Sequence, residues 1–401
     1  MQLLRNPVRP YAWGSRSVIA DLVGRPVPAP HPEAELWMGA HPGDPSHVGD
    51  SSLVDLLAAD PAGQLGEQVA ERWGGRLPFL MKVLAAEEPL SMQAHPSAEQ
   101  AAEGYAREEK LGIARDAANR NYPDPTPKPE LLCALTEFHA LAGFRDPQQT
   151  VALLKAVSTP GLEPYVSLLE GDPNREGLRA LFTTWITLPQ PAIDALVPEL
   201  LDECVEHVKS HGEFEFECRT MLELGERYPG DAGVLAALLL NHLLLGPGEA
   251  IFLPAGNLHA YLHGTAVEVL ANSDNVLRCG FTPKHVDVPE LLRVLDFSCG
   301  DMKVWTGDAA GPRHVYRTTA PEFEMTRFEW TDDRSPVKLA TGAPRILVTI
   351  DGAMTVSVVD GQELTLRRGE SVWLPAGDPD VVLTPGADGR VRSFAATVGN
   401  D

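Results

Sequence analysis

"GEAIFLPAGNLH" (248–259) and "GESVWLPAGDPD" (369–380) are two copies of one segment, 121 residues apart. Each opens on Gly-Glu, passes through a short, mostly apolar run and closes on Leu-Pro-Ala-Gly. A run of this kind bounded by Gly and Pro reads as a strand ending in a turn. Its recurrence at domain length implies two copies of one β architecture.

A strand ending in Leu-Pro-Ala-Gly ahead of a second, ligand-bearing strand is what a jelly-roll or cupin barrel supplies. The expected fold is therefore mainly β, with two cupin or jelly-roll barrels and an α-helical domain inserted in the first. Residues 1–145 are rich in Pro and Gly, carry β-like runs such as "PFLMKVLAA" and "LSMQAH", and read as strand and loop, the first part of barrel one. Residues 146–243 change to helical periodicity in "DPQQTVALLKAVS" and "AIDALVPELLDECVEHVKS", with Asp placed as N-caps, and form the insert. The apolar stretch "VLAALLLNHLLLG" (234–246) reads as a buried helix, since it falls short of the roughly 20 residues a membrane span needs. Residues 244–300 complete barrel one, and 301–401 form a C-terminal cupin-like barrel expected to be without metal. That last segment has one histidine, His314, and Asp380 stands where the first copy has His259.

The chain of 401 residues has the 44% hydrophobic and 22% charged content of a folded protein. Its formal net charge of −23 repels nucleic acid and anionic membrane surfaces, so neither is expected as a partner. An anionic substrate would have to be held by a few basic residues converging locally. The opening "MQLLRNPVRPYAWGS" lacks a signal-peptide apolar region, and the five cysteines contain no C-x-x-C pair. Both features point to a cytoplasmic protein with reduced, mostly core thiols. The oligomeric state is left open, with a monomer favoured.

In "LSMQAHP" the strand period sends Ser91, Gln93 and His95 to one side and Leu90, Met92 and Ala94 to the other. "PTPKPELLCAL" repeats the pattern with Lys128 and Glu130, and "GNLHAYLHG" with His259, Tyr261 and His263. "AVEVLANSDNVLRCGFTPK" adds Glu268, Arg278 and Lys284. One carboxylate, two imidazoles and an amide oxygen from separate strands make an N/O set for a divalent metal such as zinc. Spacing alone leaves a second reading open, in which His95 is a satisfied core histidine, Gln93 pairs with backbone and Glu130 is solvated. His207 and His211, four apart on a charged helix face, read as exposed. His41 and His47, in a Pro/Gly loop, read as solvated.

Six motifs, "YAWGS" (11–15), "AELWMGAHP" (34–42), "FLMKVLAAEEPLSMQAHPS" (79–97), "NYPDPTPKPELLCAL" (121–135), "FLPAGNLHAYLHG" (252–264) and "VEVLANSDNVLRCGFTPKHVDVPEL" (267–291), resemble those of type I mannose-6-phosphate isomerases, zinc-dependent phosphomannose isomerases of the cupin class. The resemblance implies an aldose-ketose isomerase that interconverts mannose 6-phosphate and fructose 6-phosphate through a cis-enediol, with barrel one catalytic. It implies one zinc per chain on Gln93, His95, Glu130 and His259. Arg278 matches the family's essential arginine, Lys284 and Ser91 are placed for the phosphate, and Trp13 and Glu35 match pocket-lining positions. Glu268 and Lys128 are both candidates for the base. Many relatives carry His immediately before the Lys-Pro-Glu, whereas this chain has Pro127, so a mechanism using that histidine fails here. Two alternative functions stand beside the isomerase: a non-enzymatic sugar-phosphate sensor and a metal cupin oxygenase. The oxygenase is disfavoured by the Gln/Glu-rich ligand set.

Overall fold

The two copies of the repeat fold alike. Ala250–Leu253 and Ser371–Leu374 are short strands at corresponding positions, each preceded by a glycine in the left-handed region, Gly248 at φ +89° and Gly369 at φ +82°. A Cβ at Gly369 would also lie 2.2 Å from the Leu22 carbonyl oxygen, so both conformation and space require glycine there. The computed structural model describes residues 1–340, 342–358, 361–387 and 389–399.

Around the first copy two antiparallel sheets share one bent strand, His259–Ala271. Its C-terminal half lies between Glu130–Ala134 and Phe79–Ala86; Ala250–Leu253 extends that sheet on one side, Glu35–Gly39 and Val8–Arg9 on the other. Its N-terminal half pairs with Phe138–Phe144, itself paired to Leu240–Leu245, and through Gln93 with Met92–Ala94, which pairs with Leu277–Gly280. The register shifts between Tyr261 and His263, and Gly264 follows at φ +119°, where a Cβ would lie 2.6 Å from the Glu137 carbonyl. The bulge inverts the side-chain parity, so Glu268 comes round to the face that carries His259 and Tyr261.

The alternation of side chains builds the molecule in layers. Leu84, Leu132, Ala140, Ala142, Tyr261 and Ala266 pack between the two sheets. Met92, Ala94, Leu258, Ala260, Leu277 and Cys279 point from the back of the second sheet into a core shared with the helices. Met81, Val83, Leu131, Cys133 and Val267 point from the back of the first sheet into a core shared with Met325, Ile346, Trp373 and Phe394. Those last residues belong to a seven-stranded antiparallel sheet whose other face packs Phe328, Trp330 and Leu347 against Met354, Val356 and Leu383 of a four-stranded sheet. The strand Gln2–Leu4 crosses to the edge of the seven-stranded sheet and pairs with Ser371–Leu374.

Two sequence expectations need correction. The stretch 234–246 is not one helix: Gly233–Ala237 is a short helix, and Leu240–Leu245 is a strand paired with Phe138–Phe144. There Asn241 donates to the Ala142, Gly143 and Gly300 carbonyls, and such edge pairing overrides the apolar composition that suggested a helix. Residues 1–145 also hold more helix than expected, above all Ala98–Leu111, which starts on a capping box between Ser97 and Gln100 and stops at a left-handed Gly112. Between Phe144 and Leu240 lie the helices Pro147–Ala156, Glu163–Gly171, Arg175–Ile186, Gln190–Lys209, Glu215–Arg227 and Gly233–Ala237. Among the described residues no helix is long and apolar enough to cross a membrane.

Candidate active site

His95 and His259 meet Glu130 between the two sheets. His95 follows the strand Met92–Ala94, His259 opens the bent strand, and Glu130 opens the strand Glu130–Ala134. All three are buried, at 2%, 1% and 2% exposure, so the reading of Glu130 as a solvated carboxylate is excluded. His95 Nε2 lies 3.3 Å from Glu130 Oε1 and His259 Nε2 lies 3.3 Å from Glu130 Oε2. The other nitrogen of each ring is already committed. His95 Nδ1 donates to the Asn275 carbonyl at 2.7 Å and His259 Nδ1 to the Asn257 carbonyl at 3.1 Å. A carbonyl only accepts, so Nδ1 carries the proton and each Nε2 turns a lone pair inward. Burial, reinforced by the Lys128 charge, lowers the His95 imidazolium to about 4, which keeps the ring neutral.

His95 Nε2, His259 Nε2 and Glu130 Oε2 are buried with no hydrogen-bond partner among the described residues. Each such group costs about 1–3 kcal/mol when left unsatisfied. Three on one spot, each a lone pair, fit a divalent cation, and the donor set of two imidazoles and a carboxylate is one that zinc accepts. Gln93 sits directly opposite His259 in the ladder and opposite Arg278 on its other side, so the three side chains share the inward face.

A second set of charges occupies the same face. Trp37, Lys82, Glu268 and Leu132 form one row across four strands. Lys82 Nζ lies 3.5 Å from both Glu35 Oε1 and Glu268 Oε2. Trp37 donates to Glu35 at 2.7 Å and the Tyr261 hydroxyl donates to Glu268 at 2.8 Å. Burial alone would lower the Lys82 ammonium, but the carboxylates of Glu35, Glu268 and Glu130 outweigh it and raise it. Burial, then the charges of Glu130 and Glu35, raise the Glu268 carboxyl against the opposing pull of Lys82. Lys128 stands at the other end, 3.1 Å from Glu130 Oε1. Burial would raise Glu130, but Lys128 and the two histidines hold it well below the usual carboxylate range.

Arg278 is half-buried and Lys284 exposed, and neither side chain has an ion-pair partner among the described residues. Burial and then the Arg278 charge lower the Lys284 ammonium, which places the two cations within each other's field. Ser91 lies two residues before Gln93 and is half-buried. Trp13 stacks on Tyr11 at 5.7 Å and packs against the inter-sheet core. His263 turns away beyond the bulge, bonding Glu223 of the helical block at 2.6 Å and the Glu87 carbonyl. His41, expected in solvent, is buried edge-on to Trp37 with Nε2 3.3 Å from Asp274. His211 is exposed at a helix end and pairs with Glu215, apart from the site.

Sequence reasoning missed Lys82 and Asn275. The signal for Lys82 was a lone cation inside Phe79–Ala86, every residue of which is buried. Asn275 donates its amide to the Asp124 and Thr126 carbonyls, lacing the loop ahead of Glu130 to the carbonyl that orients His95.

A family model described as "Phosphomannose isomerase type I, catalytic domain" matches residues 1–147. The mannose-6-phosphate isomerase of Escherichia coli K12 is 38% identical over 393 residues, covering 96% of this chain and 97% of its own. That of Homo sapiens is 32% identical over 406 residues, 92% of each. A solved mannose 6-phosphate isomerase with zinc bound superposes at a TM-score of 0.88 with 36% identity, covering 100% of this chain and 99% of that one. With such identity along nearly the whole length, this chain belongs to the type I phosphomannose isomerase family.

Proposed function

We propose that this chain interconverts D-mannose 6-phosphate and D-fructose 6-phosphate in the space between the two sheets, with one zinc ion held by Gln93, His95, Glu130 and His259. The observation that carries the reading is the cluster of three buried ligand atoms without hydrogen-bond partners among the described residues, on the face that Arg278 shares. When bound, zinc supplies a Lewis acid for the charge that develops on the sugar oxygens.

The chain's own residues do the rest. Arg278 presents a planar, permanently charged fork to developing oxyanion charge, and Lys284 with Ser91 binds the phosphate. Trp13 and Glu35 line the pocket, Glu35 by holding Lys82. The reaction moves one proton from C2 to C1, so the base that takes it also returns it. Glu268 and Lys128 are the two groups placed to do so. Glu268 is held on one oxygen by Tyr261 and on the other by Lys82, whereas Lys128 pairs with Glu130. Solvent exchange of the C2 proton separates them, because it is lost in the variant that lacks the base, Glu268→Gln or Lys128→Met.

The same reading extends to organisation. The two sheets around the site form a catalytic cupin barrel contributed by residues 1–145 and 244–300 with the start of the strand Leu240–Leu245, the rest of 146–243 being inserted. Residues 301–401 form a second, cupin-like barrel that carries no metal and supports the first. A coupled isomerase assay before and after chelation tests the function. Turnover that disappears on chelation and returns with zinc supports it. Binding of sugar phosphate without turnover would instead mark a sensor, and oxygen uptake an oxygenase.

A further inference from the structure

The helical block also reaches the phosphate side of the site. Its last connection, Tyr228 to Gly233, runs against the segment Leu277–Lys284 that carries Arg278 and Lys284. The Asp231 carboxylate accepts the Gly233 N–H at 2.7 Å through Oδ1 and the Phe281 N–H at 2.8 Å through Oδ2. Beside this pair the two backbones touch: a Cβ on Gly280 would lie 2.7 Å from both Asp231 Oδ1 and Gly233 Cα. Tyr228 stacks on Phe281 with ring centroids 5.2 Å apart.

Phe281 is the reason these contacts matter. Its φ is +58°, a left-handed backbone that a bulky side chain adopts only when its surroundings impose it. Its ring is 3% exposed, in the core shared by the helices and the second sheet. Three residues earlier Arg278 faces the site opposite Gln93, and three residues later Lys284 lies within the field of Arg278. The turn at Phe281 lies midway between the two cations, and Asp231 holds the amide of that turn.

We propose that Asp231 is a positioning residue for the substrate's phosphate, fixing Phe281 in its left-handed backbone so that Lys284, three residues on, is held where the phosphate binds. The helical block thereby becomes part of what selects a phosphorylated sugar. The proposal rests on the reading of Lys284 and Ser91 as the phosphate partners.

Competitive inhibition by inorganic phosphate measures the loop without the sugar. In zinc-loaded Asp231→Ala, the inhibition constant of phosphate and the KM for mannose 6-phosphate should rise together by about tenfold, the scale of a lost hydrogen bond to a charged group. Zinc content and kcat should stay near wild type. Asp231→Asn, which keeps one accepting oxygen, should fall between the two and carries the test if the alanine variant does not fold. Both constants are measured on folded, zinc-loaded protein, so a loss of stability alone moves neither. Lys284→Ala and Ser91→Ala serve as references. If they leave phosphate inhibition at the wild-type level, the phosphate assignment falls and the proposal with it. If they weaken it while Asp231→Ala and Asp231→Asn do not, Asp231 serves only the fold and the proposal alone is overturned.

Discussion

The two copies of the Gly-Glu…Leu-Pro-Ala-Gly segment share a strand and a turn and then lead to opposite surroundings. In the first copy the Gly256 N–H donates to the His95 carbonyl, so the turn itself is tied to a candidate ligand, and three residues later His259 is buried against Glu130. In the second copy the Gly377 N–H donates to the Gly63 carbonyl, and Asp380 pairs with a largely exposed Lys338 at 2.6 Å. The interiors differ in the same way. One sheet pair encloses Glu35, Lys82, Glu130 and Glu268, while the other encloses Phe328, Trp330, Leu347 and Val356. A repeated strand and turn is thus a mounting, and the chemistry depends on the residues beyond the turn and on the facing sheet.

Four experiments sharpen or break that contrast. The largest effect is expected from His259→Ala, which removes a ligand of the first copy. Zinc content and isomerase activity should both be lost while the circular dichroism spectrum stays native, because the residue fills a site and not the fold. Next is Arg278→Ala, measured by steady-state kinetics and metal analysis. Transition-state charge contacts are commonly worth about 2.7–4 kcal/mol, so kcat should drop by about two to three orders of magnitude with zinc retained. Turnover at near the wild-type rate would make Arg278 structural. Third is Tyr261→Phe, which leaves one oxygen of buried Glu268 without its donor. Denaturant unfolding should show a loss of about 1–3 kcal/mol, since the carboxylate stays buried. Smallest is Asp380→Ala, the counterpart of His259→Ala in the second copy. Asp380 lies outside the first copy's ligand set, so zinc content and activity should not change.

The sequence displayed more of the site than of the fold. Gln93 and His95 stood on one alternating face, Glu130 and His259 on alternating faces of other segments, and it was the resemblance of the motifs that joined the four into one ligand set. Glu268 was not assignable by alternation, because the bulge at Tyr261 and His263 reverses the parity of the bent strand and a bulge depends on how two strands pair. The strand Leu240–Leu245 was hidden for a related reason: a short apolar run fits helix and strand equally until its partner, Phe138–Phe144, is known. His41 looked solvated because its loop is rich in Pro and Gly, and it is buried edge-on to Trp37 with Asp274, far along the chain, at its Nε2. What escaped the sequence was pairing and register, the parts of a β fold that are written between segments and not within them.

Metal analysis of three proteins tests the central claim most directly. The wild type should contain close to one zinc per chain, Asp380→Ala should keep it, and His259→Ala should lose it together with activity. Two zinc ions per chain with the second lost in Asp380→Ala, or full isomerase activity in a metal-free preparation, would contradict the account.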